Sequence, residues 1–406
     1  MYILVINGGS SSLKYQLFDM DTRKVMAKGL CERIGKGGHM RHTAAGREKL
    51  EFDIDIPDHT FAAKLVVDKL TDPQYGVLSD MSQIGAVGHR VLHGGQWFSE
   101  SVVIDDAVIG AIEKCIPLGP LHNPANLMGI RACAAVMPGV PQVAVFDTAF
   151  HQSMPKSSYI YPIPYEFYEK YAIRRYGFHG TSHRYVSGRC AEILGGDPAD
   201  HNIIVCHLGN GSSLCAVRGG KCFDTSMGLT PLDGVEMGTR SGAIDPAVVS
   251  TLCEKTGKSP TYVVDQILNK ESGLLGVSGL SSDFRDVNAA ADAGNERAVL
   301  ARDILIHTIR HYIGAYAAEM GRVDALVFTA GIGENNAALR EHVTDTLGFM
   351  GVEIDREKNL NPDRAEELEI TAPGARVRTF VIATNEELMI AMDTERLVAA
   401  KTSKND

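Results

Sequence analysis

The sequence predicts an α/β protein of two related halves, each a mixed sheet flanked by helices. The first observation is a pair of matched glycine–serine hairpins. One reads Val5-Ile6-Asn7-Gly8-Gly9-Ser10-Ser11-Ser12-Leu13-Lys14 and the other Val205-Cys206-His207-Leu208-Gly209-Asn210-Gly211-Ser212-Ser213-Leu214. Each is an apolar run, a tight polar turn and a second run, Tyr15 to Phe18 or Cys215 to Val217. Glycines let backbone N–H groups approach an anion, and Ser and Asn add donors. Finding this device twice, half a chain apart, points to a duplicated domain with a polyphosphate held between the copies. The second observation is that strand-like runs alternate with helical ones, without a short repeat. The third is length: 406 residues exceed one ordinary core.

Taken in order, residues 1 to 19 read as a hairpin. Residues 84 to 95 read as a buried strand with a polar end, and Val143 to Phe146 as a short strand with Asp147 at its C-terminal edge. Pro155 to Pro164, rich in proline and tyrosine, suits a crossing between domains. Strands follow at Ile203 to His207, Leu214 to Val217 and Ala325 to Phe328. Ile306, Ile309, Ile313, Tyr316 and Met320 form one helical stripe, and Gly321 stops it. Val377 to Ile382 is a strand leading into Asn385, a candidate N-cap for a last helix. The chain closes on a polar tail, 401 to 406.

Composition narrows the function. A net charge of −10 argues against a nucleic-acid partner, while leaving room for an anionic small molecule met by local arginines. No apolar stretch approaches the roughly 20 residues of a membrane span, and the N-terminus carries no secretory pattern. None of the eight cysteines forms C-x-x-C, so buried reduced thiols are expected.

The usual nucleotide motifs fail. Thr256-Gly257-Lys258-Ser259 resembles the end of a P-loop, but Leu252 stands where glycine is required. Ala330-Gly331-Ile332-Gly333-Glu334-Asn335-Asn336 follows a strand and opens a helix, an arrangement that suits a nucleotide phosphate or ribose or a plain packing turn. Arg90, within Gly88 to Gly95, and Arg240, within Met237 to Gly242, set one guanidinium each among glycines, suited to carboxylate and phosphate. His179 lies between Gly177 and Gly180 in a donor-rich stretch. Asp147 and Glu386 stand at strand ends, where α/β sheets bind ligands and hard oxygens can hold Mg²⁺.

These stretches together resemble the acetate and propionate kinase family. Asn7 to Lys14, Gly177 to His183, His207 to Ser213, Met237 to Arg240 and Phe328 to Asn335 carry the resemblance, which runs from Val5 to about Ala391. It implies the duplicated ribonuclease H-like core of actin, sugar kinases and Hsp70, with the active site in the interdomain cleft. Implied domains are 1–150 plus a C-terminal helix 385–400, and 151–384, the latter holding the nucleotide site and main contact of a homodimer. It implies a cytoplasmic enzyme with ATP and ADP as co-substrates and Mg²⁺ as cofactor, Mn²⁺ substituting. The acceptor is acetate, giving acetyl phosphate; propionate is the alternative.

Residue roles follow from the same resemblance. Arg90 and Arg240 bind the carboxylate and the moving phosphoryl group, His179 donates to it, and Lys14 and Asp147 complete the catalytic set. Asn7 and Glu386 hold the metal, with Asp147 beside it. Asn210 and Gly211 meet ATP phosphates, with His122 and His207 nearby, and Lys14, His207, Leu208 and Gly209 belong to the same cofactor-binding set. Asp283, Phe284 and Arg285, with Gly331 and Asn335, line the adenosine pocket, and Ile332, Gly333 and Glu334 are cofactor-binding residues beside them. Val91, Leu92, Leu121, Phe178 and Pro231 wall the substrate methyl. Leu92 fills the place where a smaller side chain favours propionate, so acetate is expected. Gly8, where the family often has Ala or Cys, is expected to loosen the hairpin turn slightly. A sugar kinase and an ATP-driven switch of the Hsp70 or actin type compete, but no added peptide-binding domain or filament surface is visible for the switch.

Overall fold

The computed structural model describes residues 1–360 and 367–402; the end of the polar tail, from Ser403, lies outside them. The chain divides into two compact units. One comprises Met1–Gln152 and Asn385–Asp406, the other Ser153–Thr384. The proline- and tyrosine-rich stretch belongs to the second unit, and Lys156–Tyr159 within it is a short helix.

Among the described residues the first unit holds eight strands: β1 (Tyr2–Gly9), β2 (Ser12–Asp19), β3 (Lys24–Glu32), β4 (His39–Ala44), β5 (Leu50–Asp53), β6 (Ile84–Val91), β7 (Val102–Val103) and β8 (Gln142–Phe146). Their order is β5-β4-β3-β2-β1-β6-β8-β7. β1 to β5 pair antiparallel, whereas β6 lies parallel to β1 and β8 parallel to β6. The second unit holds β9 (Asn202–Leu208), β10 (Ser212–Arg218), β11 (Lys221–Thr225), β12 (Ala325–Thr329), β13 (Glu367–Glu369) and β14 (Arg378–Ile382), in the order β11-β10-β9-β12-β14-β13. Reduced to shared strands, both sheets follow one plan. A hairpin and a third antiparallel strand come first, then two parallel strands on the other side of the first. The paired hairpins announced this duplication.

Alternation explains the burial. Strand β9 is buried at every residue, as expected of a central strand covered on both faces. One face of the second sheet is covered by the helix Glu296–Met320, whose Ile306, Ile309, Ile313, Tyr316 and Met320 join Ile204, Cys206 and Leu326 in one core. Gly321 ends that helix at φ +74°. In the first unit, the helix Asn123–Val136 packs on β1 and β6.

Gly8 requires a correction. It is not in the turn but in β1, and a Cβ there would lie 2.9 Å from the Ala125 carbonyl oxygen. Its small size lets the helix Asn123–Val136 approach the strand; turn freedom plays no part. Seven of the eight cysteines are buried and all are free thiols. Among the described residues no helix is long and apolar enough to cross a membrane.

Candidate active site

In the first unit, three elements bring charged groups together. β6 and β8 are parallel neighbours with Arg90 in register with Val145. Arg90 and Asp147 therefore stand at adjacent C-terminal strand ends, where a sheet of this kind offers its ligand groups. Asp147 is fully buried. It accepts from Arg90 Nε at 3.1 and 3.2 Å and from Nη2 at 2.6 Å, a fork-to-fork pair. Asp147 holds the guanidinium well above its ordinary range, against the opposing effect of burial.

The helix Glu386–Thr402 supplies the third element. Asn385 caps it, its side chain accepting from Leu388 N at 3.0 Å. It lies close on β6 because Gly88 has no side chain; a Cβ there would meet Thr394 Oγ1 at 2.5 Å and Ile390 Cγ2 at 2.7 Å. Glu386 thus comes within 3.9 Å of Arg90 Nε. Burial raises the Glu386 carboxyl to about 7, with Asp147 and Glu387 adding to the rise and Arg90 and Lys14 opposing it. Lys14 Nζ reaches Glu387 at 2.5 Å, and Asn7 sits directly across the hairpin from Lys14. Three carboxylates face two cations here. The donor set is one positive charge short and rich in hard oxygens, which fits a divalent cation at Asn7 and Glu386.

The loop after Arg90 is clamped. Asn126 accepts from Leu92 N at 3.0 Å while donating to the Gly8 carbonyl at 2.9 Å. Asn123 accepts from His93 N, and Thr148 Oγ1 from Gly94 N. Leu92 is half-buried and its Cδ2 packs beside Gly119. Val91 lies wholly in the core with Phe98, Ile112 and Phe146, whereas Leu121 is 74% exposed and His122 is exposed too.

The second unit collects the other half of the expected residues. His179 has a left-handed backbone, φ +58°, immediately before the helix Gly180–Leu194. Such a conformation costs on the order of 1 kcal/mol and clusters at functional sites. Its ring stacks on His207 at 4.2 Å. Ser213, paired with His207 across the β9–β10 hairpin, meets His179 Nδ1 at 2.9 Å. A Cβ on Gly211 would lie 3.4 Å from Arg240 Nη1 and 3.7 Å from His179 Cε1 and Nε2. The hairpin tip therefore adjoins both side chains. Arg240 is half-buried and burial lowers its guanidinium. It donates to the Pro231 carbonyl at 3.3 Å, and among the described residues no carboxylate lies within 4 Å of it. Phe178 is buried.

Beside this group lies a cavity of about 640 Å³. Gly209 and Asn210 from the hairpin tip line it, with Asp283, Phe284 and Arg285, and with Gly331, Ile332 and Asn335. Asn336, the last residue of the strand-to-helix stretch, also lines it, as does Ser282, which the sequence did not point to. Asp283 caps the helix Phe284–Asp292 and is pulled down to about 2 by Arg285. A Cβ on Gly331 would meet nothing within 4 Å. Leu208, Gly333 and Glu334 are not among its lining residues. Leu208 is core, Gly333 packs against Cys206 and Phe328, and Glu334 accepts from Ala330 N at 2.8 Å and Thr384 N at 3.2 Å. Glu334 therefore holds the turn whose Ala330 sits at φ +64°. Ser213, Ser182, Asn126 and Glu387 were not singled out as site residues, because the partners each one meets lie many positions away in the sequence.

A guanidinium without a carboxylate partner among the described residues, set with His179 beside a glycine–serine hairpin, suits a phosphoryl or carboxylate group and fits a phosphotransferase. The Acetokinase family pattern matches residues 2–392. The acetate kinase of Caldanaerobacter subterraneus subsp. tengcongensis is 58% identical over 400 residues, covering 98% of this chain and 99% of its own. The crystal structure of Porphyromonas gingivalis acetate kinase matches with a TM-score of 0.94 at 47% identity, over 98% of this chain and 99% of that one. A propionate kinase structure from Francisella tularensis matches at 0.90 and 44%, with the same coverage. The chain belongs to the Acetokinase family.

Proposed function

We propose that this protein transfers the γ-phosphoryl group of ATP to acetate, reversibly and in line, giving acetyl phosphate and ADP. The observation that carries this reading is Arg240, a half-buried guanidinium without a carboxylate partner among the described residues, set with His179 at the tip of the second hairpin. A desolvated, uncompensated cation is costly unless an anion completes it.

Acetate is already ionised at neutral pH, so the nucleophile needs no general base. Catalysis becomes positioning and charge stabilisation. Arg90, oriented by Asp147, binds the carboxylate. Arg240 and His179 stabilise charge on the equatorial oxygens of the transferring group. Lys14 and the hairpin residues His207, Asn210 and Gly211 receive ATP phosphates, and the 640 Å³ cavity takes the adenosine. Asn7 and Glu386 would hold Mg²⁺, with Asp147, whose oxygens accept from Arg90, beside them. When bound, Mg²⁺ neutralises phosphate charge; Mn²⁺ substitutes. Leu92, pinned by Asn126 and Gly119, sets a short pocket and favours acetate over propionate. One methylene is worth about 1–3 kcal/mol in such a pocket, so propionate is a poorer substrate. The protein works in the cytoplasm as a homodimer joined through its second unit.

Hydroxylamine trapping of acyl phosphate tests this, with Mg-ATP and acetate, propionate, butyrate or glycerol. Hydroxamate strongest with acetate is the expected result. A stronger signal with propionate keeps the chemistry and rejects the Leu92 argument. ADP release without hydroxamate rejects the reaction.

A further inference from the structure

Ser213 Oγ stands between two imidazoles, 2.9 Å from His179 Nδ1 and 2.7 Å from His183 Nε2. A hydroxyl has one proton to donate, so it cannot donate to both rings. We propose that Ser213 is a positioning residue that sets the tautomer of His179. Its hydroxyl donates to Nδ1, His183 Nε2–H donates to Ser213, and His179 carries its single proton on Nε2. The inference rests on the reading that His179 donates to the phosphoryl group.

Two observations choose this arrangement over its mirror, in which Ser213 donates to His183 and accepts from His179. In the mirror, His179 keeps its proton on Nδ1 and offers Nε2–H only as a cation. A cationic His179 would stack 4.2 Å from His207 and share the Gly211 tip with the Arg240 guanidinium. Like charges so close oppose one another. Finally, the Nε2 edge of His179 is the one beside Gly211 and Arg240, whereas Nδ1 faces the interior serine. Only the proposed arrangement gives a neutral ring with a proton on that edge.

The neighbouring ring is gripped in the same way. Ser182 Oγ meets His207 Nδ1 at 2.8 Å and Thr384 Oγ1 at 2.7 Å. Two stacked imidazoles are thus each held at Nδ1 by a serine. Which nitrogen of a histidine bears the proton is commonly decided by the bond its other nitrogen makes.

Nitrogen-15 NMR of the full-length enzyme labelled at histidine reads this directly. His179 signals are assigned by their loss in His179→Gln. The expected spectrum at neutral pH is a neutral ring protonated at Nε2. An Nδ1–H tautomer or an imidazolium overturns the proposal. Kinetically, Ser213→Ala should lower kcat about 10- to 100-fold, the range seen when a metal-binding histidine loses the partner that orients it. KM for acetate and ATP should stay essentially unchanged, and Ser213→Thr, which keeps the hydroxyl, should recover activity. An unchanged kcat in Ser213→Ala also overturns it. The wild-type spectrum decides even if the alanine variant fails to fold. A wild-type enzyme that forms no acetyl hydroxamate rejects the functional reading alone, because the tautomer is read without turnover.

Discussion

Arg90 and Asp147 form a two-pronged ion pair in which the carboxylate is fully buried and the guanidinium is the more accessible partner. The asymmetry means Asp147 exists in this fold only with Arg90 beside it. Arg90→Ala should therefore have two effects. kcat should fall ~10²- to 10⁴-fold, as for loss of a preorganised charge contact. Stability should fall by ~3–5 kcal/mol, because a buried charge loses its partner. Steady-state kinetics and denaturant unfolding check both, and a loss below tenfold would remove Arg90 from the reaction.

Arg240 makes the opposite case. Its removal should lower kcat over the same ~10²- to 10⁴-fold range. The melting temperature should hold or rise, since no carboxylate among the described residues is left behind. A clear drop in melting temperature would show that Arg240 is structural.

Glu386→Ala should raise the Mg²⁺ concentration needed for half-maximal rate. The shift should reach at least the ~10- to 100-fold that loss of even an outer-shell partner costs. A Mg²⁺ titration checks it; an unchanged curve removes Glu386 from the metal site.

Glu236 gives a stability test independent of catalysis. It is 2% exposed, and both carboxylate oxygens lack a hydrogen-bond partner among the described residues. Burial raises its carboxyl from 4.5 to about 8. Folding therefore takes up a proton between those values, and stability falls as pH rises through that window. Glu236→Gln removes the titration. It should stabilise the protein by about 1–3 kcal/mol near pH 9 and change little near pH 5. Thermal melts at the two pH values decide, and equal shifts would refute the argument.

Gly8→Ala should destabilise by ~1–3 kcal/mol, since backbone must move to relieve the contact with Ala125. Denaturant unfolding measures it. A variant as stable as the parent would mean that the helix Asn123–Val136 shifts freely.

Local patterns were legible in the sequence where chemistry and spacing are local. The two hairpins, the stripe from Ile306 to Met320 with its stop at Gly321, and the Asn385 cap each depend on residues within a few positions of one another. Asp147 at a strand end and Gly331 at a strand-to-helix turn were legible for the same reason. The resemblance supplied Asp283 to Arg285, which line one cavity with Asn210 and Asn335. The role of Gly8 was not legible, because its reason lies in Ala125, more than a hundred residues away in the chain. Tertiary structure alone decided that Asp147 grips Arg90, that Lys14 meets Glu387, that Glu334 serves a backbone turn, and that Leu121 stands in solvent. It alone placed Ser213 between His179 and His183. These are matters of distance and desolvation between side chains far apart in sequence, and a linear pattern records neither.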